Sequence, residues 1–206
     1  MPYSKELNLI FVAVPKTGTT SMTRALGSLC SDLILRAKPK KHYSIMNIRE
    51  RISEDDFKRS LKFSVVRNSW SYMLSRYLFT HVDQEPSEKE KLRRKTQRTF
   101  HDLSLEDWVE ERWKDKECHW KYRQLRYLVD ENGLAIMDHI GRLDNVQATL
   151  DWVTDELKVD RMEMPYVNGT RPGHYAQYYD ENTMQMVQEI CKDDIEYFNF
   201  EFQPSA

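Results

Sequence analysis

The sequence predicts an α/β fold in which a central parallel β-sheet is flanked by helices. Three observations carry that expectation. Apolar runs of strand length recur at Leu7–Val14, Asp32–Ala37, Leu61–Val66 and Leu134–Gly141. Stretches with helical spacing lie between them. The first run is apolar on both faces, as a strand covered on both sides must be. Strands alternating with helices are the pattern of a parallel sheet joined by helical crossovers.

The chain of 206 residues is long enough to bury a substantial core and predicts a single domain over 1–206. Its net charge of −2 offers no global basic field, which speaks against nucleic acid as a partner. Three widely spaced cysteines, Cys30, Cys118 and Cys191, form neither a disulfide framework nor a zinc pattern. The longest apolar run near the start, "LIFVAV", is far shorter than the ~20 residues of a membrane span. These features predict a soluble, cytoplasmic protein with no membrane span.

The elements follow in order. After the first strand, Ser21–Leu29 spaces Met22, Ala25, Leu26 and Leu29 as one helical face. "DLILRA" is a short second strand, and "KPKKHYSIMNIRERI" a basic loop leading into a helix. The strand Leu61–Val66 precedes a helix that Asn68 or Ser69 caps. Residues 81–103 are densely charged without apolar period and read as a solvated insertion or a lid. Ser104 and Asp107 resemble a capping box ahead of "WVEERW". "YRQLRYLVDENG" reads as a helix ending at Gly133, and "LAIMDHIG" as the fourth strand. Asp144 is placed to cap the helix "NVQATLDWVTDEL", and a last helix runs from Glu181 to Cys191.

The chemistry concentrates in "PKTGTTS", Pro15–Ser21, where the first strand turns into the first helix. The first N–H groups of a helix have no intrahelical partner, and the helix dipole adds partial positive charge there. Gly18 lets the backbone approach a ligand closely, Lys16 adds a full charge, and Thr19, Thr20 and Ser21 add hydroxyl donors. The physics points to phosphate or sulfate. The lysine precedes the only glycine of the loop, so this is not the Gly-x-x-x-x-Gly-Lys-Ser/Thr loop of nucleoside triphosphatases.

"PKTGTTS" resembles the 5'-phosphosulfate loop of sulfotransferases that use 3'-phosphoadenosine 5'-phosphosulfate (PAPS). A second motif supports the resemblance. Arg67 ends the strand Leu61–Val66, and Ser75 follows eight residues later, the form of that family's 3'-phosphate site. "GRLDNVQATLDWVTDELKV" and the C-terminal "VNGTRPGHYAQYYDENTMQMVQEICKDDIEYFNFEF" are similar to segments of the carbohydrate-type, Golgi-like branch, with Asp144 where Glu is commoner. The chain looks like a compact soluble member of that branch.

The resemblance implies the P-loop-NTPase-like sulfotransferase fold and transfer of a sulfuryl group from PAPS to a hydroxyl or amine acceptor. The product would be 3'-phosphoadenosine 5'-phosphate (PAP), and no metal is needed. It assigns nucleotide binding to Lys16, Thr17, Gly18, Thr19, Thr20, Ser21, Arg67, Ser75 and Arg171, with Lys16 at the leaving oxygen. His42, after the second strand, takes the place of the base, and His119, His174 and Glu50 are alternatives. Lys38, Lys40 and Lys41 lie beside His42 and suit an anionic acceptor. Trp70, Tyr72, Trp120, Tyr122, Tyr175, Tyr178 and Tyr179 are candidates to stack a ring or to pack a core. The acceptor, a small molecule or a glycan, and the oligomeric state are not readable. The competing readings are a nucleotide kinase-like P-loop enzyme, with Asp138 as its metal-binding carboxylate, and a non-catalytic PAP- or PAPS-binding module.

Overall fold

The computed structural model describes residues 3–30, 32, 42–81, 103–165 and 173–204. The expected strand over Asp32–Ala37, the basic Lys38, Lys40 and Lys41, the charged insertion and Arg171 fall outside these residues, Asp32, His81 and Leu103 excepted. The chain divides into two compact units, Met1–Arg67 with Gln124–Arg171, and Asn68–Arg123 with Pro172–Ala206. No helix among the described residues is long and apolar enough to cross a membrane.

The first unit holds the sheet. Among the described residues it has four strands in the order β1 (Tyr3–Ser4), β2 (Leu9–Val12), β3 (Leu61–Val66) and β4 (His139–Arg142). β2, β3 and β4 are parallel, which makes the expected α/β architecture. β1 was not expected. It folds back antiparallel on β2 through a turn in which Asn8 takes a positive φ. Asp32 secures that turn by accepting from Ser4 Oγ (2.5 Å) and from the N–H groups of Lys5 and Glu6.

The register stacks Phe11 on Phe63, ring centroids 4.9 Å apart. Alternate strand residues Leu9, Phe11, Ala13, Phe63 and Val65 therefore face one way. They meet Met22, Ala25 and Leu26 of α1 (Thr19–Leu26) and Leu150 and Val153 of the helix Val146–Leu157 in one buried cluster. The i, i+3, i+4 spacing on each helix makes this possible. Full burial of each such large side chain contributes about 1.5–3 kcal/mol. α2 (Ile45–Arg49) and α3 (Glu54–Arg59) are each capped by a serine, Ser44 and Ser53.

The second unit is helical. α4 (Ser69–His81) is capped by Asn68, whose Oδ1 accepts from the N–H groups of Trp70 and Ser71. α5 (Leu105–Lys114) starts at Ser104 as expected, Ser104 Oγ accepting from Asp107 N at 3.1 Å, but the Asp107 carboxylate accepts from Ser104 Oγ at 2.8 Å, which is not the reciprocal bond of a capping box. In chain order, Val146–Leu157 of the first unit is α6, followed here by α7 (Glu181–Ile190) and α8 (Lys192–Phe198). α7 packs on α4 and α5. Trp70 anchors the unit, donating Nε1–H to Met184 O and meeting Phe202 edge-on at 5.5 Å.

Two expectations fail for local reasons. Residues 122–133 do not form a helix. The 3₁₀ turns Lys116–Tyr122 and Leu125–Tyr127 stand there, followed by a turn in which Asp130 Oδ1 accepts from Asn132 N and Leu134 N. That turn consumes the first part of "LAIMDHIG", so β4 begins only at His139. Asp144 does not cap α6. A 3₁₀ turn, Leu143–Asn145, intervenes and puts Asn145 at the cap position without a side-chain bond.

β4 and α6 approach closely at Gly141, where a Cβ would lie 2.8 Å from Cβ of Thr149 and closer still to its hydroxyl. Gly141→Ala should lower the unfolding free energy by roughly 1–3 kcal/mol, with part of the loss recovered on adding Thr149→Ala. Urea denaturation checks this, and an unshifted midpoint for the single variant would contradict the packing described.

Candidate active site

Parallel strands deliver their C-terminal ends to one edge of the sheet, and in open α/β sheets ligands bind beyond that edge. Val12 of β2 pairs with Ser64 of β3, and Val66 of β3 with Arg142 of β4. The segment after β2 therefore runs beside the end of β3, bringing Lys16 to Arg67. Arg67 Nη1 donates to the carbonyl oxygen of Lys16 at 3.3 Å.

The loop has an unusual backbone. Lys16 and Gly18 both lie in the left-handed region, at φ +64° and +74°. Glycine adopts this conformation without cost, whereas a side-chain-bearing residue is uncommon there. Such outliers gather where surrounding structure holds them for a purpose. Here Arg67 holds the Lys16 carbonyl, and the buried Thr17 donates its hydroxyl to Val14 O at 2.9 Å. Gly18 is the N-cap of α1, and its carbonyl accepts the first helical bond, from Met22 N. Leu143 backs it so closely that a Cβ would lie 2.8 Å from Cδ1.

The threonines divide their work. Thr17 and Thr19 are buried, and the Thr17 hydroxyl serves the loop itself. Lys16, Thr20 and Ser21 are partly exposed at the start of α1.

His42 joins the loop from 29 residues away, its Nδ1 lying 2.7 Å from Ala13 O. A carbonyl oxygen only accepts, so Nδ1 carries a proton. The neutral ring then keeps its lone pair on Nε2. The other candidate bases sit elsewhere. His119 is buried in the second unit with Nε2 on Trp113 O at 3.0 Å, a structural arrangement. His174 is exposed, stacks on Tyr175 and accepts from Ala176 N. Glu50 is exposed and pairs with Arg51.

Ser75 is buried on α4, within the second unit. Of the candidate stacking aromatics, Trp70, Tyr72 and Tyr175 are buried in that unit, and Tyr179 donates its hydroxyl to Trp70 O. Tyr122 lies under the guanidinium of Arg76, and Trp120 and Tyr178 are exposed. Asp138 stands one residue before β4, where its carboxylate accepts from Lys62 N at 2.7 Å near the start of β3. That is the opposite end of the strands from the loop, so Asp138 cannot hold a metal ion for a phosphate bound at Lys16. No group of three or more metal-ligating side chains exists among the described residues.

Sequence reasoning missed Gln124. It is fully buried, and its side-chain amide embraces the backbone of Arg67. Oε1 accepts from Arg67 N at 2.8 Å, and Nε2 donates to Arg67 O at 2.7 Å. Nothing in "YRQLRYL" marks this glutamine, because its role exists only once residues 57 positions apart have met.

The fold and this edge define a class: an α/β protein in which a buried strand passes through a lysine- and glycine-containing turn into a helix. The model of the sulfotransferase family matches residues 2–201, and the chain belongs to that family. No curated protein and no solved structure matches the chain significantly.

The His42 tautomer is directly measurable. Long-range 1H–15N NMR on the neutral imidazole should show the proton on Nδ1, and a ring protonated on Nε2 alone would remove the arrangement described.

Proposed function

We propose that the chain transfers a sulfuryl group from PAPS to a hydroxyl acceptor, a small molecule or glycan, and releases PAP. The observation that carries this reading is the bond from Arg67 to the Lys16 carbonyl. It sets two cations from adjacent strand ends beside the N-terminus of α1. One anion site binds a phosphate. An arginine fork and a lysine whose backbone it holds suit a ligand with two separate anionic groups, such as a nucleotide phosphorylated at both 5' and 3' positions. The residues present fit that ligand: the N-terminus of α1, Lys16 and Arg67 supply N–H donors and positive charge for its anionic groups.

PAPS supplies the sulfuryl group and, in PAP, the leaving group. Lys16 neutralises the charge that develops on the leaving oxygen, with the backbone N–H groups at the start of α1. The Arg67 fork holds the terminal 3'-phosphate. His42 accepts the acceptor's proton at Nε2, while its Nδ1–H bond to Ala13 O keeps the ring in that orientation. The loop's contribution is placement and charge, as expected for transfer of a group with little covalent chemistry of its own.

Calorimetric titration with PAP, with ATP and Mg2+ as the comparison, tests the nucleotide site. Metal-independent micromolar binding of PAP with weak binding of ATP is the expected result, and preference for ATP with Mg2+ would return the chain to the kinase reading. Lys16→Ala should lower turnover of PAPS, followed as PAP release with a panel of hydroxyl acceptors, by roughly 10²-fold or more. An unchanged rate would end its leaving-group role.

His42→Asn places an amide donor where Nδ1 lies, for the Ala13 carbonyl, but removes the base. It should leave PAP affinity within about twofold and cut turnover by about 10²–10⁴-fold. Full turnover in this variant, with PAP still bound, would dismiss His42 as the base. Wild-type protein that binds PAP and transfers nothing to any acceptor would favour a binding module.

A further inference from the structure

β3 stops pairing one residue before Arg67. Its ladder with β2 ends at Ser64 and its ladder with β4 at Val66. Arg67 is thus the first residue whose backbone has no strand to bind, yet it is the residue whose direction matters most. Gln124 takes the strand's place. Its amide presents one acceptor and one donor side by side, as an extended neighbouring chain would, and it engages both Arg67 N–H and Arg67 C=O. Its complete burial excludes water from competing for these groups.

The bonds continue outward. Gln124 holds the Arg67 backbone, and the Arg67 guanidinium holds the carbonyl of Lys16, a residue at positive φ. Resting on the sulfonucleotide reading above, we propose that Gln124 is a positioning residue. It fixes how Arg67 leaves β3, and so sets the spacing between the cation for the 3'-phosphate and the lysine at the leaving oxygen.

Only a side chain with adjacent donor and acceptor meets this requirement. Methionine keeps the length of the side chain but offers neither an acceptor for Arg67 N nor a donor for Arg67 O. Alanine removes both bonds and leaves Arg67's buried backbone to find others.

The test compares PAP with adenosine 5'-phosphate, which lacks only the 3'-phosphate, by calorimetry on wild type, Gln124→Ala and Gln124→Met. Thermal unfolding of all three is measured alongside. Both variants should lose PAP affinity by roughly tenfold or more, the scale of disturbing hydrogen bonds to a charged group, while holding adenosine 5'-phosphate within about twofold. The preference for PAP then collapses. A merely structural glutamine would lower the unfolding temperature and weaken both nucleotides alike, leaving the preference intact, and that result overturns the proposal. Should the alanine variant fail to fold, the methionine variant, which fills nearly the same volume, decides by the same ratio. Wild-type protein without preference for PAP sinks the sulfonucleotide reading, and this inference with it. A wild-type preference that survives in the variants sinks this inference alone.

Discussion

Parallel pairing of β2 with β3 is the constraint from which the candidate site follows. Two parallel strands must leave the sheet at the same edge, and so residues 51 positions apart in sequence, Lys16 and Arg67, emerge side by side. The apolar content of the strands enforces the pairing. Leu9, Phe11, Phe63 and Val65 need cover on the face where α1 and α6 lie, and a slip of one residue would turn them away from it. Core burial thus fixes the register, and the register places the cations.

What the sheet cannot supply is direction beyond its last rung. There, individual polar bonds take over from the ladder. Thr17 ties the loop back to Val14, Arg67 grips the Lys16 carbonyl, Gln124 grips Arg67, and His42 grips Ala13. Each of these contacts uses a backbone group that has run out of secondary-structure partners. A backbone polar group left unmade in a buried place is costly, so satisfying it and aiming a functional side chain become the same act. The positive φ of Lys16, an arrangement that costs a lysine about 1–2 kcal/mol, is held by this surrounding set.

The parts of the site carried by local chemistry were legible in the sequence. An apolar run followed by lysine, glycine and threonines announces a strand, a turn and a helix start, because each residue type there answers a local need. Arg67 was placed at a strand end by the apolar run before it, and Ser104 with Asp107 by the geometry of a helix start. Gln124 was not legible. Its segment has apolar residues at helical intervals, yet the chain there is divided into 3₁₀ turns. Asp144 failed as a cap for a related reason, since a 3₁₀ turn shifted the helix start past it. In both cases a 3₁₀ turn stands where the residue pattern suggested an α-helix or its start.

The polarity of the sheet also bears on the chemistry. A kinase-type site needs a carboxylate at the same strand ends as its phosphate loop, to hold a metal ion. The carboxylate that the sequence offered, Asp138, binds Lys62 N at the far ends of the strands. His42, by contrast, is oriented by a carbonyl rather than by a carboxylate. A carboxylate in that position would set a negative charge beside the loop and oppose the charge of Lys16. A backbone carbonyl orients the ring equally well and adds no net charge. Orienting the ring in this way therefore costs the edge none of its positive charge.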